Sequence, residues 1–72
     1  MPKVQEWELK ELYKRASIAM SRFPNLRYGQ AIFNEAYSLW PDFVNTLRGT
    51  NDDCFYDDEK VKDFLKHFEV EG

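Results

Sequence analysis

Two prolines and one glycine divide the chain into segments in which apolar residues recur at three- and four-residue spacing. Pro24, Pro41 and Gly49 stand between these segments, and proline and glycine commonly end or redirect helices. The spacing places apolar side chains on one face of an α-helix. No segment alternates polar and apolar residues in the manner of a strand. The pattern predicts an all-α fold: a small bundle of three longer helices and one short helix, with an ordered acidic loop before the last.

The breaks also set the expected helix boundaries. Helices are predicted over residues 4–22, 26–39, 41–48 and 58–69. Asn25 is the expected N-cap of the second helix, Pro41 suits the first position of the short helix, and Gly49 suits the position after its end. Gly29 falls on the apolar face of the second helix. Because glycine costs about 1 kcal/mol of helix propensity, we expect it to allow close approach of another backbone.

Length and composition bound the domain count and the compartment. Seventy-two residues make one domain, residues 1–72, and a 17% aromatic content supplies the large side chains that a small core needs. The single cysteine excludes an internal disulfide. No stretch resembles a signal peptide or reaches bilayer length. These features predict a protein of the reducing cytoplasm, with no membrane partner.

The acidic stretch RGTNDDCFYDDEK, residues 48–60, is interpreted first as an ordered connection between helices. Asp57 is placed to cap the last helix, and Asp58 lies in its first turn, where negative charge is favoured. Tyr56 and Val61 have the spacing of a hydrophobic staple, and Phe55 and Tyr56 are both expected to turn inward.

This interpretation leaves two carboxylates in the stretch without a structural role. Asp52 and Asp53 are therefore candidate contacts for a partner. The same carboxylates suggest an alternative, a weak metal-binding or small hydrolytic protein. The stretch lacks the glycine-containing pattern of a calcium loop, however, and one cysteine with one histidine is too few for a zinc site.

Catalysis by Cys54 with His67 is the remaining chemical hypothesis. Neighbouring carboxylates raise the pKa of a thiol, which opposes its activation as a nucleophile. His67 lies off the apolar stripe of the last helix, so we expect an exposed surface histidine. A chain this short also offers little volume for a desolvated site. We therefore predict no enzymatic activity and no cofactor.

The main apolar stripe of the first helix runs from Leu9 to Phe23 and is expected to face the core, and a second apolar group lies opposite it. At about 100° per residue, Val4, Trp7 and Ile18 fall together, among charged residues that include Arg15 and Arg22. A tryptophan with β-branched neighbours on a charged face is typical of a contact patch. Two alternatives stay open. In the first alternative, the N-terminal turn is not helical and Trp7 folds back over the core. In the second, the patch joins a second copy of the protein.

Charge is unevenly distributed along the chain. Residues 1–27 carry six basic and three acidic side chains, whereas residues 28–72 carry four basic and ten acidic ones. The basic first part suggests a second functional hypothesis, a nucleic-acid-associated protein. The candidate phosphate contacts are Lys10, Lys14, Arg15, Arg22 and Arg27. Three interleaved glutamates and the net charge of −3 argue against it.

The segment RYGQAIFNEAY…PDFVNTLRGTNDDCFYDDEKVKDFL, residues 27–65, resembles a family of small, mostly uncharacterised bacteriophage- and prophage-encoded proteins. The shared pattern runs GQxxFN, a proline, RGTxxDxFYDD and an aromatic helix. Residues 27–69 form the family-like helical core and residues 1–26 lie outside it; Cys54 stands where proline is more usual. The resemblance carries over no reaction or ligand. It implies an acidic accessory protein that binds a host or phage protein, inhibiting or redirecting it.

Overall fold

The computed structural model describes residues 3–71, most of which are helical. In chain order the elements are β1 (Lys3–Gln5), α1 (Glu6–Arg22), α2 (Tyr28–Leu39), α3 (Pro41–Leu47), a 3-10 turn (Asp58–Lys60), α4 (Val61–Leu65) and β2 (Glu69–Glu71). The predicted helical character is therefore confirmed. Within the described range, no helix has the length and apolar character needed to cross a membrane.

The all-α expectation is wrong at the two ends of the chain. Strands β1 and β2 pair in parallel, with Val4 opposite Val70, and Val4 is fully buried. As a result α1 begins at Glu6 rather than near Val4, and α4 ends at Leu65 rather than near Glu69. The last helix therefore has only five residues, and the prediction of three longer helices is wrong: within residues 3–71, two helices are long and two are short. Each strand has only three residues, which is too short to show an alternating pattern. Their pairing depends on the packing of everything between them.

The start of α2 is held by a residue from a distant part of the chain. The predicted N-cap Asn25 is wrong, because α2 begins at Tyr28 and Arg27 is its N-cap. The Gly29 N–H, exposed in the first turn, donates to the Asp58 carboxylate at 2.9 Å. The free N–H group at the start of α2 therefore bonds to a carboxylate that is distant in sequence, whereas the sequence predicted a bond to the side chain of Asn25.

Gly29 has the close-packing role predicted for it. A β-carbon at this position would collide with the carbonyl oxygen of Cys54, and it would lie 3.1 Å from the Asp58 carboxylate and 3.2 Å from the Asp57 carbonyl. The acidic loop therefore packs directly on the backbone of α2.

The other local predictions for helix ends are confirmed. Helix α1 ends at Arg22, just before Pro24, and α3 begins with Pro41. Gly49 has φ = +77°, the left-handed conformation in which glycine is favoured after a helix. The chain reverses there and enters the acidic loop.

Aromatic rings join separate segments of the chain within the core, whose other buried side chains are mainly aliphatic. Phe33 on α2 lies 5.6 Å, between ring centroids, from both Phe55 of the loop and Phe64 of α4. Phe68 follows α4 and packs at 5.0 Å on Trp40 and at 5.3 Å on Phe43. These contacts hold the loop and the C-terminal segment against α2 and α3. None of them involves α1, one side of which faces outward.

Candidate protein-binding surface

The two aspartates without a predicted structural role both make contacts inside the protein. One carboxylate oxygen of Asp53 accepts from the Gly49 N–H at 2.7 Å, and the other accepts from the Phe55 N–H at 2.9 Å. The carboxylate therefore spans the tight turn and holds its two sides together. Asp53 was assigned to a partner because no internal role was evident, and the structure supplies that role.

Asp52 is paired with the single histidine. Its carboxylate lies 2.7 Å from His67 Nε2, and the His67 side chain is only about one-third exposed. His67 is thus not the freely exposed residue that its helical position suggested. The pair ties the loop to the segment after α4, where the chain has already left the helix.

The end of the loop follows the predicted capping scheme in part. The Asp57 carboxylate accepts from the Glu59 N–H at 3.0 Å, so Asp57 is the N-cap as predicted. Phe55 turns inward, but Tyr56 is 85% exposed and stacks only on Phe55, at 4.7 Å between ring centroids. The staple between Tyr56 and Val61 is therefore wrong. The chain enters a 3-10 turn before α4, and the helical spacing of the staple does not apply there.

Cys54 is unsuited to nucleophilic chemistry. Its side chain is fully buried and the thiol donates to the Gly29 carbonyl at 3.3 Å. Burial raises the pKa of this thiol to about 12, and the nearby charges of Asp53 and Asp58 raise it as well, against the opposing effect of a backbone hydrogen bond. The thiol is therefore protonated at neutral pH. His67 bonds instead to Asp52.

The acidic loop has no metal-binding arrangement. Between residues 3 and 71, no three histidine, cysteine or acidic side chains converge in a way that would hold an ion. Asp53, Asp57 and Asp58 all accept hydrogen bonds from backbone N–H groups. These bonds orient the carboxylates towards the backbone rather than towards a common point.

The outer side of α1 carries some of the large apolar side chains that are exposed in the structure. Trp7 is 67% exposed and Ile18 is 45% exposed, as the contact-patch hypothesis requires. Val4 does not belong to the patch, because it is buried in β1. Phe23, assigned to the buried stripe, is 63% exposed and joins the patch instead. Pro24 could have indicated this exposure from the sequence. Phe23 lies after the last residue of α1, so the helical spacing of apolar residues does not predict where its side chain points.

These residues border two shallow depressions between α1 and α2, which meet at Arg15. The first has a volume of about 250 Å³ and is lined by Trp7, Glu8, Glu11, Arg15 and Leu39. The second, of about 260 Å³, is lined by Arg15, Ile18, Ala19, Arg22, Phe23 and Glu35. We call the outer side of α1 together with these two depressions the α1–α2 face.

Charges on and beside this face are partly neutralised. Arg15 Nε lies 3.2 Å from the Glu11 carboxylate, and Lys10 lies 3.6 Å from Glu6. Arg27 lies 3.8 Å from Asp58. Of the five basic residues proposed to contact nucleic acid, three are therefore paired with carboxylates. Within residues 3–71, Arg22 makes no ion pair.

Two other concave surfaces lie away from this face. The larger, of about 580 Å³, runs between α1 and α4 and exposes the phenol rings of Tyr13 and Tyr28; burial and then the neighbouring Tyr13 raise the Tyr28 pKa. The smaller lies beside the acidic loop, where the Arg48 guanidinium covers the rings of Phe33 at 5.4 Å and Tyr37 at 5.3 Å. Neither combines an exposed tryptophan with an unpaired guanidinium, as the α1–α2 face does.

No family model, curated protein or solved structure matches this chain.

Proposed function

We propose that this chain is a small accessory protein of the phage type, which acts by binding another protein through the α1–α2 face and so inhibits or redirects a host factor. The observation that carries the proposal is the position of Trp7. It is 67% exposed at the edge of an apolar depression, with Arg15 on the same face. Tryptophan and arginine are the residues most enriched among those that dominate binding energy.

The shape of the face favours a partner that presents a helix or another narrow ridge. Helix α1 has 17 residues and is therefore about 25 Å long. The two depressions lie one after the other along it, on either side of Arg15. An amphipathic helix with apolar side chains at three- and four-residue spacing fits such a groove.

The two alternative functions have less support. Pairing of Lys10, Arg15 and Arg27 with carboxylates reduces the charge available for phosphates. A metal-dependent or hydrolytic role would require free carboxylates or an activated thiol. The loop carboxylates instead bond to backbone N–H groups, and Cys54 is buried.

Affinity capture from nuclease-treated bacterial lysate tests the proposal. The wild-type protein is compared with Trp7→Ala and with a matched control, Tyr56→Ala, which removes another highly exposed aromatic ring from a different surface. We expect a captured protein that is retained by wild type and control and lost with Trp7→Ala. Binding is then measured with the purified partner, where loss of a central aromatic anchor costs about 2 kcal/mol or more.

Equal capture by wild type and Trp7→Ala would refute the use of this face. Capture that survives only without nuclease and falls steeply with salt would favour the nucleic-acid alternative, because phosphate contacts weaken strongly as salt rises. Circular dichroism of each variant checks that the fold is retained, which we expect since both substituted side chains are largely exposed.

A further inference from the structure

Charge on α1 is divided between its two halves. Residues 6–11 hold three glutamates and one lysine, whereas residues 12–23 hold Lys14, Arg15 and Arg22 and no acidic side chain. The acidic half carries Trp7, and the basic half carries Ile18 and ends beside Phe23. A helix with this division is complementary to a copy of itself that runs in the opposite direction. A parallel copy would place like charges together.

The apolar residues have a matching symmetry. Trp7 lies eight residues before Arg15, and Phe23 lies eight residues after it. At 1.5 Å per residue, each is about 12 Å from Arg15 along the helix direction. The two depressions also meet at Arg15. A two-fold axis through Arg15 therefore places Trp7 of one copy over the second depression of the other, which is lined by Ile18, Arg22 and Phe23 of α1 and its end and by Glu35 of α2.

We propose that a second copy of this chain, docked antiparallel about a two-fold axis near Arg15, occupies the α1–α2 face until another protein displaces it. This inference rests on the proposed use of that face for protein binding. A two-fold interface must be self-complementary, because the same patch is used twice. Here the acidic half with its tryptophan meets the basic half with its apolar depression, and the contact is made twice.

The axis position is compatible with the charge on Arg15. Two copies of Arg15 approach each other there, and like charges would oppose association. Each guanidinium, however, has the carboxylate of Glu11 at 3.2 Å within its own chain. Arg22, which has no ion pair within residues 3–71, faces the acidic half of the other copy and packs beside Trp7. Guanidinium groups commonly stack on tryptophan rings in this way.

Sedimentation equilibrium of the full chain measures the association directly. Over about 1 µM to about 1 mM, a range that covers weak to moderate association, the apparent mass of the wild type should rise from 8.6 kDa towards twice that value. Trp7→Ala removes the anchor from both copies, so the dimer dissociation constant should rise by about a thousandfold, the equivalent of two hot spots of about 2 kcal/mol each. Higher salt should weaken the dimer, because exposed charges are screened.

A charge exchange tests the antiparallel arrangement. Arg22→Glu lowers the net charge of the basic half from +3 to +1 and should weaken self-association. Glu8→Lys in the acidic half should do the same, because a two-fold axis at Arg15 places residue 8 of one copy opposite residue 22 of the other. Mixing the two variants should restore a dimer, because the side chains introduced by Arg22→Glu and Glu8→Lys then face each other with opposite charge, and the second contact is native. Lys62→Glu is the matched control for charge, since Lys62 is exposed on α4. It should associate as the wild type does.

The outcomes separate this inference from the proposed function. A wild type that stays at 8.6 kDa while capture from lysate still depends on Trp7 overturns the dimer and leaves the proposed function standing. A monomer whose capture is insensitive to Trp7 overturns both. A dimer that is unchanged by Trp7→Ala, or variants that fail to associate on mixing, would show that another face or another direction is used.

Discussion

Replacing Gly29 with alanine should destabilise the protein, although alanine is the better helix former. In an ordinary helix interior this change gains about 1 kcal/mol. Here the added β-carbon collides with the carbonyl oxygen of Cys54, and overpacking of this kind typically costs about 1–3 kcal/mol. Separating the loop from α2 also strains the bonds from the Gly29 N–H to Asp58 and from the Cys54 thiol to the Gly29 carbonyl, each worth about 1 kcal/mol. If both bonds are lost, the net loss is about 2–4 kcal/mol.

Thermal unfolding followed by circular dichroism measures this loss. For a domain of this size, 1 kcal/mol corresponds to about 4–8 °C in Tm, so Gly29→Ala should lower Tm by about 10–30 °C. Ser38→Ala, at an exposed position of the same helix, is the matched control and should change Tm by only a few degrees. A Tm for Gly29→Ala at or above that of the wild type would refute the argument. It would mean that the loop does not pack directly on the α2 backbone.

Two further substitutions test the acidic loop. Asp53→Ala removes the acceptor for the Gly49 and Phe55 N–H groups and should cost about 1–3 kcal/mol in urea unfolding; an unchanged midpoint would contradict the bracing role. Cys54 has a pKa of about 12 in the folded protein against a usual 9.0, so the unfolded state loses its proton first and stability should fall as the pH rises between these values. Cys54→Ala should show a shallower alkaline loss, and equal slopes for the two proteins would count against the raised pKa.

Local rules account for the predictions that are confirmed. Pro24 ends α1, Pro41 begins α3, Gly49 adopts a positive φ, and Asp57 caps the turn that leads into α4. Each outcome depends on the backbone geometry of one residue and its immediate neighbours, so the sequence nearby is sufficient to predict it.

Predictions that involved the loop and the chain ends failed where a distant residue was decisive. Asp58 accepts a hydrogen bond from the first turn of α2, and Asn25 is not the N-cap that its residue type predicted. His67 is only partly exposed and pairs with Asp52, 15 residues away in sequence. In both cases the sequence contains the two residues that bond, but it does not show that their segments lie next to each other in the fold.

The candidate site divides in the same way. Helical periodicity alone placed Trp7 and Ile18 on the outer face of α1, and both are exposed there. Val4 was assigned to the same group but is buried in β1, while Phe23 was assigned to the core but is exposed. Both errors lie at the ends of α1, where the helical period stops applying because the chain becomes a strand or a turn.

The sequence by itself determined the helical character of the chain, its principal breaks and the apolar group on the outer face of α1. These follow from residue spacing and from the backbone preferences of proline and glycine. The tertiary structure alone decided that the two ends form a parallel pair and that Asp58 accepts a hydrogen bond from the first turn of α2. It also decided that a groove lies between α1 and α2. Such features require surfaces from separate segments to meet, and only the packed core brings them together.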